Sequence, residues 1–243
     1  MKHIFIIVSL IISQLTSYSQ EVYGTVMYTS KSNFAETDEE IIIGASPDIA
    51  EVIKEMPAET EQSYILDFNE SASYYKKYAA PVNDKKVDGI VMINMDEFNA
   101  EHYINIKEGT TVGQLTLFDE TYIISGTPKN FAWKMGEETK MIQKYKCRKA
   151  TGIIKGERLP DGIVTGDVLI TAWYAPEIKV KFGPENYWGL PGLILEVDNG
   201  TTIVSCSKID LYPKEKPLIN PPSVGKKVTK DELLEILGNL LKQ

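Results

Sequence analysis

The sequence predicts a mainly β protein: a curved antiparallel sheet, half-barrel or sandwich, with a short helix near residues 46–56 and a C-terminal helix. Three observations predict it. Short segments rich in β-branched and aromatic residues recur along the chain, many with the period-2 alternation of a half-buried strand. Turn residues separate most of them, and a sustained helical period with a broad apolar face occurs only at the end of the chain. Many short strands at near-regular spacing are the mark of antiparallel all-β architecture.

The elements follow in order. In "VYGTVMYTS" (22–30), Val22, Gly24, Val26 and Tyr28 share one side of a strand. Residues 31–60 are acidic, and Ser46 followed by Pro47 supplies an N-cap and a first-turn proline for the helix near 46–56. Further strands are predicted at 62–69, 89–95, 102–107, 112–119, 121–126, 140–152, 168–175, 192–200 and 201–211, with a longer loop over 158–167. Asn199-Gly200, between two apolar runs, predicts a hairpin closed by a type I′ turn. "GLPG" (189–192) reads as a type II turn, Pro191 presetting φ at the second position and Gly192 taking positive φ at the third. It is a corner into a buried strand, not a phosphate loop, because phosphate-binding glycines lead into a helix. Prolines at 213–228 predict an extended connection. The closing segment 229–243 carries Thr229 and Glu232 as a capping box, followed by Leu233, Leu234, Ile236, Leu237, Leu240 and Leu241 on a broad face that must be buried.

The first nineteen residues combine Lys2, an apolar run from Ile4 to Ile12 and a polar exit, the anatomy of a secretory leader cleaved before Gln20. The expected product is periplasmic or extracellular and has no transmembrane segment after cleavage. Loss of Lys2 leaves 25 basic against 34 acidic side chains, a net charge of −9. Such a surface repels phosphate backbones and excludes nucleic acid as a natural partner. Cys147 and Cys206 are the only cysteines. In an oxidising compartment they either pair, closing a loop worth about 4 kcal/mol in the chain-entropy account, or lie separately buried as thiols.

The chain offers little catalytic chemistry. After loss of His3 only His102 remains, on an alternating strand where a half-exposed sheet histidine is the ordinary outcome. GxSxG, HExxH, CxxC and nucleotide-binding glycine patterns are absent, and nothing points to a metal or other cofactor. Carboxylates at Asp67, Glu70, Asp96, Glu97, Glu101, Glu177, Glu185, Glu196 and Asp198 are what an acidic surface supplies. Glu196 and Asp198 share a strand face, an oxygen-rich pair that is usually solvated. The aromatics say more: Trp173, Tyr174, Tyr187 and Trp188, with Trp133 and Tyr145 on other strands, suit an apolar groove or the sheet's own core. Tyr187 and Trp188 are the pair expected to reach a surface.

Four ordered motifs carry a resemblance. Trp133, Lys134, Glu138, Thr139, Lys140, Ile142, Tyr145, Cys147, Lys149 and Ala150 form the first; Ala172-Trp173-Tyr174 the second; Gly183-Pro184 the third; and Gly189, Leu190, Pro191, Gly192, Leu193 and Ile194 the fourth. In these and in "GTVMY" and "YILDFNESASYY" the chain resembles the GLPGLI family of exported bacterial proteins, whose function is not established. It departs at Lys144, where members usually have glycine, and at Lys179, where proline is common. The resemblance implies export, and no catalytic residues carry over from it. Its motif order is similar to that of periplasmic half-barrels of the lipoprotein-carrier type, an analogy of fold alone.

Together these features predict a non-enzymatic exported binding or accessory protein that presents an aromatic-lined face to an apolar small molecule or an envelope protein. The alternatives are a structural component of an envelope assembly and a carboxylate-dependent hydrolase. The hydrolase requires two acids about 5–9.5 Å apart in a cleft.

Overall fold

The computed structural model describes residues 21–33, 59–78, 101–117, 120–156 and 166–240. The expected leader, the helix near 46–56, the strand at 89–95, Asp96, Glu97 and most of the 158–167 loop lie outside the described residues.

The chain is mainly β. Strand β1 (Gly24–Asn33) is central. On one side a meander of antiparallel neighbours runs outward through β2 (Glu59–Phe68), β3 (Ala72–Lys77), β4 (Glu101–Asn105), β5 (Thr110–Leu117) and β6 (Glu120–Gly126). A second meander begins at the far edge with β7 (Lys134–Ile142). It returns through β8 (Tyr145–Ile154), β9 (Val168–Ala175) and β10 (Leu193–Asp198) to β11 (Thr202–Leu211), which pairs with β1. A short parallel strand, β12 (Lys226–Val228), covers the outer side of β6 and leads into helix α1 (Lys230–Leu240).

This topology dictates curvature. Strands β6 and β7 are ten positions apart in the twelve-strand sheet, about 48 Å if it were flat. The chain joins them through residues 127–133, a span of about 28 Å even when fully extended. The sheet therefore has to curl, bringing its two edge regions toward one another without pairing them. Side chains from both meanders accordingly meet in one interior cluster. Val26, Tyr28, Leu66 and Phe68 from β1 and β2 pack with Tyr145, Cys147, Leu193, Leu195, Val204 and Cys206 from the other half. The Tyr28 hydroxyl, fully buried, donates to the Ile194 carbonyl at 2.6 Å.

A second, smaller core covers the opposite face of β8–β10. Ala150, Ile170, Ala172, Tyr174, Ile194 and Val197 are roofed there by Tyr187, Leu190, Phe131 and Trp133. Strand β10 is thus buried on both faces, which is why "LILEV" reads as a continuous apolar run and not an alternating one. A register shift between Ile194 and Glu196 lets Leu193, Ile194 and Leu195 all be fully buried.

Local differences from the sequence expectations have identifiable causes. Residues 140–152 are not one strand but the ends of β7 and β8, reversed at Gln143 and Lys144. Gln143 takes φ 52° and its side-chain amide donates to the carbonyls of Cys206 and Ser207, so a tether replaces the glycine or asparagine that usually signals a hairpin. Lys144 does not carry the positive φ, so lysine is accommodated there without strain. The β10–β11 hairpin forms as expected, but only Gly200 has positive φ (91°), which excludes type I′. The Asn199 side chain instead accepts from the Thr201 and Thr202 amides, an Asx-type closure. The proline-rich connection contains β12, which had no hydrophobic pattern of its own. The capping box of α1 is formed as expected, with the Thr229 amide donating to Glu232 at 2.7 Å and the Glu232 amide to the Thr229 hydroxyl at 3.2 Å.

Candidate functional site

The corner at Gly189–Gly192 is built differently from a type II turn. Positive φ falls on Gly189 (97°), not on Gly192. Pro191 is spanned by a tight bond in which the Gly192 amide donates to the Leu190 carbonyl at 2.9 Å, a three-residue turn. Glycine is required at 192 for space: an added Cβ would lie 2.3 Å from the Ala175 carbonyl oxygen. The corner is pinned by Gly189 N–H to Lys181 O, Leu193 N–H to Ile178 O and Ile194 N–H to Phe182 O. Leu190 enters the smaller core and Leu193 the interior cluster. The segment joins the two cores and positions Trp188 immediately before it.

The four aromatic candidates separate. Tyr174 and Tyr187 are buried members of the smaller core. Trp173 is half-buried, its ring under the ammonium groups of Lys140 at 4.5 Å and Lys149 at 6.0 Å. Lys140 also pairs with Glu196 at 2.5 Å, Glu196 accepts from the Ser205 hydroxyl at 3.0 Å, and Lys149 pairs with Glu138 at 2.9 Å. Glu138, Lys140 and Lys149 of the first motif and Trp173 of the second thus form one network with Glu196. Glu196 belongs to it, and Asp198 accepts from the Gly200 amide in the turn. Among the described residues no group of three or more His, Cys, Asp or Glu side chains is arranged to hold a metal ion. Cys147 and Cys206 are both buried free thiols, and burial pushes them up to about 11 and about 12 respectively.

Trp188 reaches a cavity. Its indole N–H donates to the Lys129 carbonyl at 2.7 Å, while its own carbonyl accepts from the Trp133 indole at 2.8 Å, fixing the segments 127–129 and 186–188 against each other. Together with β4, β5, β6 and the start of α1 they enclose about 530 Å³. The walls are predominantly apolar, with Ile104, Leu115, Ile124, Trp188 and Leu233 prominent. Register explains the interior space. His102 lies opposite both Tyr75 and Gly113, and Gly113 lies opposite Ile124, so these positions share a face. At Gly113 that face has no side chain, and the position where a Cβ would stand has nothing nearer than 3.9 Å. His102, on the wall, is held to about 4 by burial and is neutral at pH 7. Among the described residues the lining contains no aspartate, glutamate or cysteine; its ionised side chains are Lys129 and Lys230.

Of the four aromatic candidates Trp188 lines this cavity, with Leu233 from α1, and the cavity itself was not foreseen from the sequence. Its walls come from three regions of the chain, and its floor depends on a glycine whose strand context gives no local signal.

Residues 133–196 match the model of a family described as a protein of unknown function (Porph_ging). That span holds the lysine–tryptophan network and the Gly189–Gly192 corner, but of the cavity lining only Asn186 and Trp188. No curated protein matches the chain. Among solved structures the chain is similar to PNGF-II in a C2 crystal form, with a TM-score of 0.50 and 16% identity over 91% of this chain. A P21 form of PNGF-II gives a TM-score of 0.50 and 18% identity over 92%. The chain spans about a third of those chains, 33% and 34%, and at this identity the likeness shows the fold alone.

Proposed function

We propose that this chain is an exported, non-enzymatic binding protein of the GLPGLI family that holds an apolar small molecule between β4–β6 and the first turn of α1. The observation that carries the proposal is the cavity of about 530 Å³, within the range of small-molecule sites and walled mainly by apolar side chains. Export is supported by the leader-like first nineteen residues. Family membership is supported by the complete hexapeptide at 189–194, which lies within the span matched by the family model. A carboxylate-dependent hydrolase draws no support from this cavity, because the described residues of its lining offer no acid for the required pair.

The test uses an uncharged solvatochromic probe, N-phenyl-1-naphthylamine, with the wild-type chain and Gly113→Leu. At 113 an added Cβ meets only the Glu101 and Ile124 carbonyl oxygens at an ordinary 3.9 Å, so a leucine there starts unstrained and fills the space beside Ile124. Probe emission rises with the wild-type chain and is lost with Gly113→Leu, at unchanged circular dichroism. Equal probe binding by both proteins, or none by the wild-type chain, refutes the proposal.

A further inference from the structure

Resting on that reading, we infer that the ligand is a single-chain amphiphile with a carboxylate head, a long-chain fatty acid, whose tail fills the cavity and whose head lies at Lys129 and Lys230. Size is the first argument. The volume of about 530 Å³ lies in the lower half of the range of small-molecule sites. That is the scale of one acyl chain with its head and not of the two chains and glycerol of a phospholipid.

Charge is the second argument. The whole chain carries 34 acidic and 26 basic side chains, yet among the described residues the cavity lining has two lysines and no acid. The lysines come from separate segments, one following β6 and one at the first position of α1, and both are exposed, which places them at the mouth. Each ammonium has three N–H donors, so a contact within the protein still leaves donors for a ligand carboxylate. Neutral His102 adds no charge deeper in the wall. An apolar interior with a cationic rim sorts ligands by their ends: a neutral chain gains only burial, about fourfold in affinity per methylene, whereas an acid gains the rim as well.

Competition against the naphthylamine probe tests this, with hexadecanoate and hexadecan-1-ol compared below their aggregation limits at pH 8 and low salt. The acid displaces the probe at least about tenfold more effectively than the alcohol, and the advantage shrinks as salt is raised. In the double variant Lys129→Gln/Lys230→Gln the ratio of acid to alcohol falls to about one. An equal affinity for acid and alcohol in the wild-type chain, or a preference that survives the double variant, overturns the head-group assignment while leaving the cavity proposal standing. If the wild-type chain binds neither the probe, the alcohol nor the acid, both fall together.

Discussion

Replacing Gly192 by alanine isolates what the corner needs. Were its glycine there to supply positive φ, as the type II reading holds, alanine would suffer chiefly backbone strain. In the structure the positive φ is at Gly189, and Gly192 is instead pressed against backbone. A Cβ at 192 would stand 2.3 Å from Ala175 O, 2.7 Å from Ala175 C and 2.9 Å from Pro176 Cα. None of these atoms is the end of a flexible side chain, so β9 and the corner must separate. Overpacking of this kind costs about 1–3 kcal/mol, and the upper end applies where backbone has to yield. In a chain of this size each kcal/mol lowers Tm by about 2–4 °C, so Gly192→Ala is expected to melt about 6–12 °C below wild type. Gly189→Ala is the control. It keeps φ 97°, but its Cβ meets only the Trp133 indole at 3.7 Å, leaving a conformational cost of about 1–2 kcal/mol. Urea titrations followed by tryptophan fluorescence, with calorimetric melts, give both values. A Gly189→Ala loss equal to or larger than that of Gly192→Ala refutes the reasoning.

Tyr75 is 2% exposed and its hydroxyl has no hydrogen-bond partner among the described residues, although the ring stacks on Tyr64 at 5.0 Å. Tyr75→Phe is therefore expected to raise stability by about 1 kcal/mol in urea titration, and a loss of that size would show a partner at work. The thiols of Cys147 and Cys206, raised by burial, are expected to resist an aromatic disulfide reagent at pH 8 until the chain is unfolded, when two equivalents react; prompt reaction of the native protein contradicts the burial argument. Because both pKa values are raised in the fold, their contribution to stability is complete below the ordinary thiol range and declines as pH climbs toward about 11. His102 acts at the other end: the unfolded chain takes up a proton near pH 6.5 that the folded chain refuses until about 4, so stability falls with pH across that interval. His102→Gln is expected to flatten that slope in urea titrations from pH 7 to 4, and an unchanged slope assigns the acid lability elsewhere.

Much of the strand content was legible because half-buried strands imprint a two-residue period. Val26 and Tyr28 showed it, as did the alternation around Cys147, and the Thr229–Glu232 cap was readable because it is local. Where positions were set by distant partners, the local pattern misled or said nothing. The turn at Gln143 depends on carbonyls more than sixty residues away. Gly192 is glycine because of Ala175, and β12 is a strand because β6 has an edge to offer. Tyr174 and Trp173, adjacent in sequence, project to opposite faces, one into a sealed core and the other beneath two lysines.

By itself, then, the sequence determined the β class, the C-terminal helix, the anionic balance and the scarcity of catalytic groups, since these follow from period, composition and contacts within a few residues. Only the tertiary structure decided that the sheet curls, that its strand order places β6 and β7 ten positions apart, and that Trp188, Gly113 and Leu233 share a cavity. The reason is physical: a short link from β6 to β7 is an ordinary loop until the nine strands between them are in place, and only then does it compel the curvature that encloses the site.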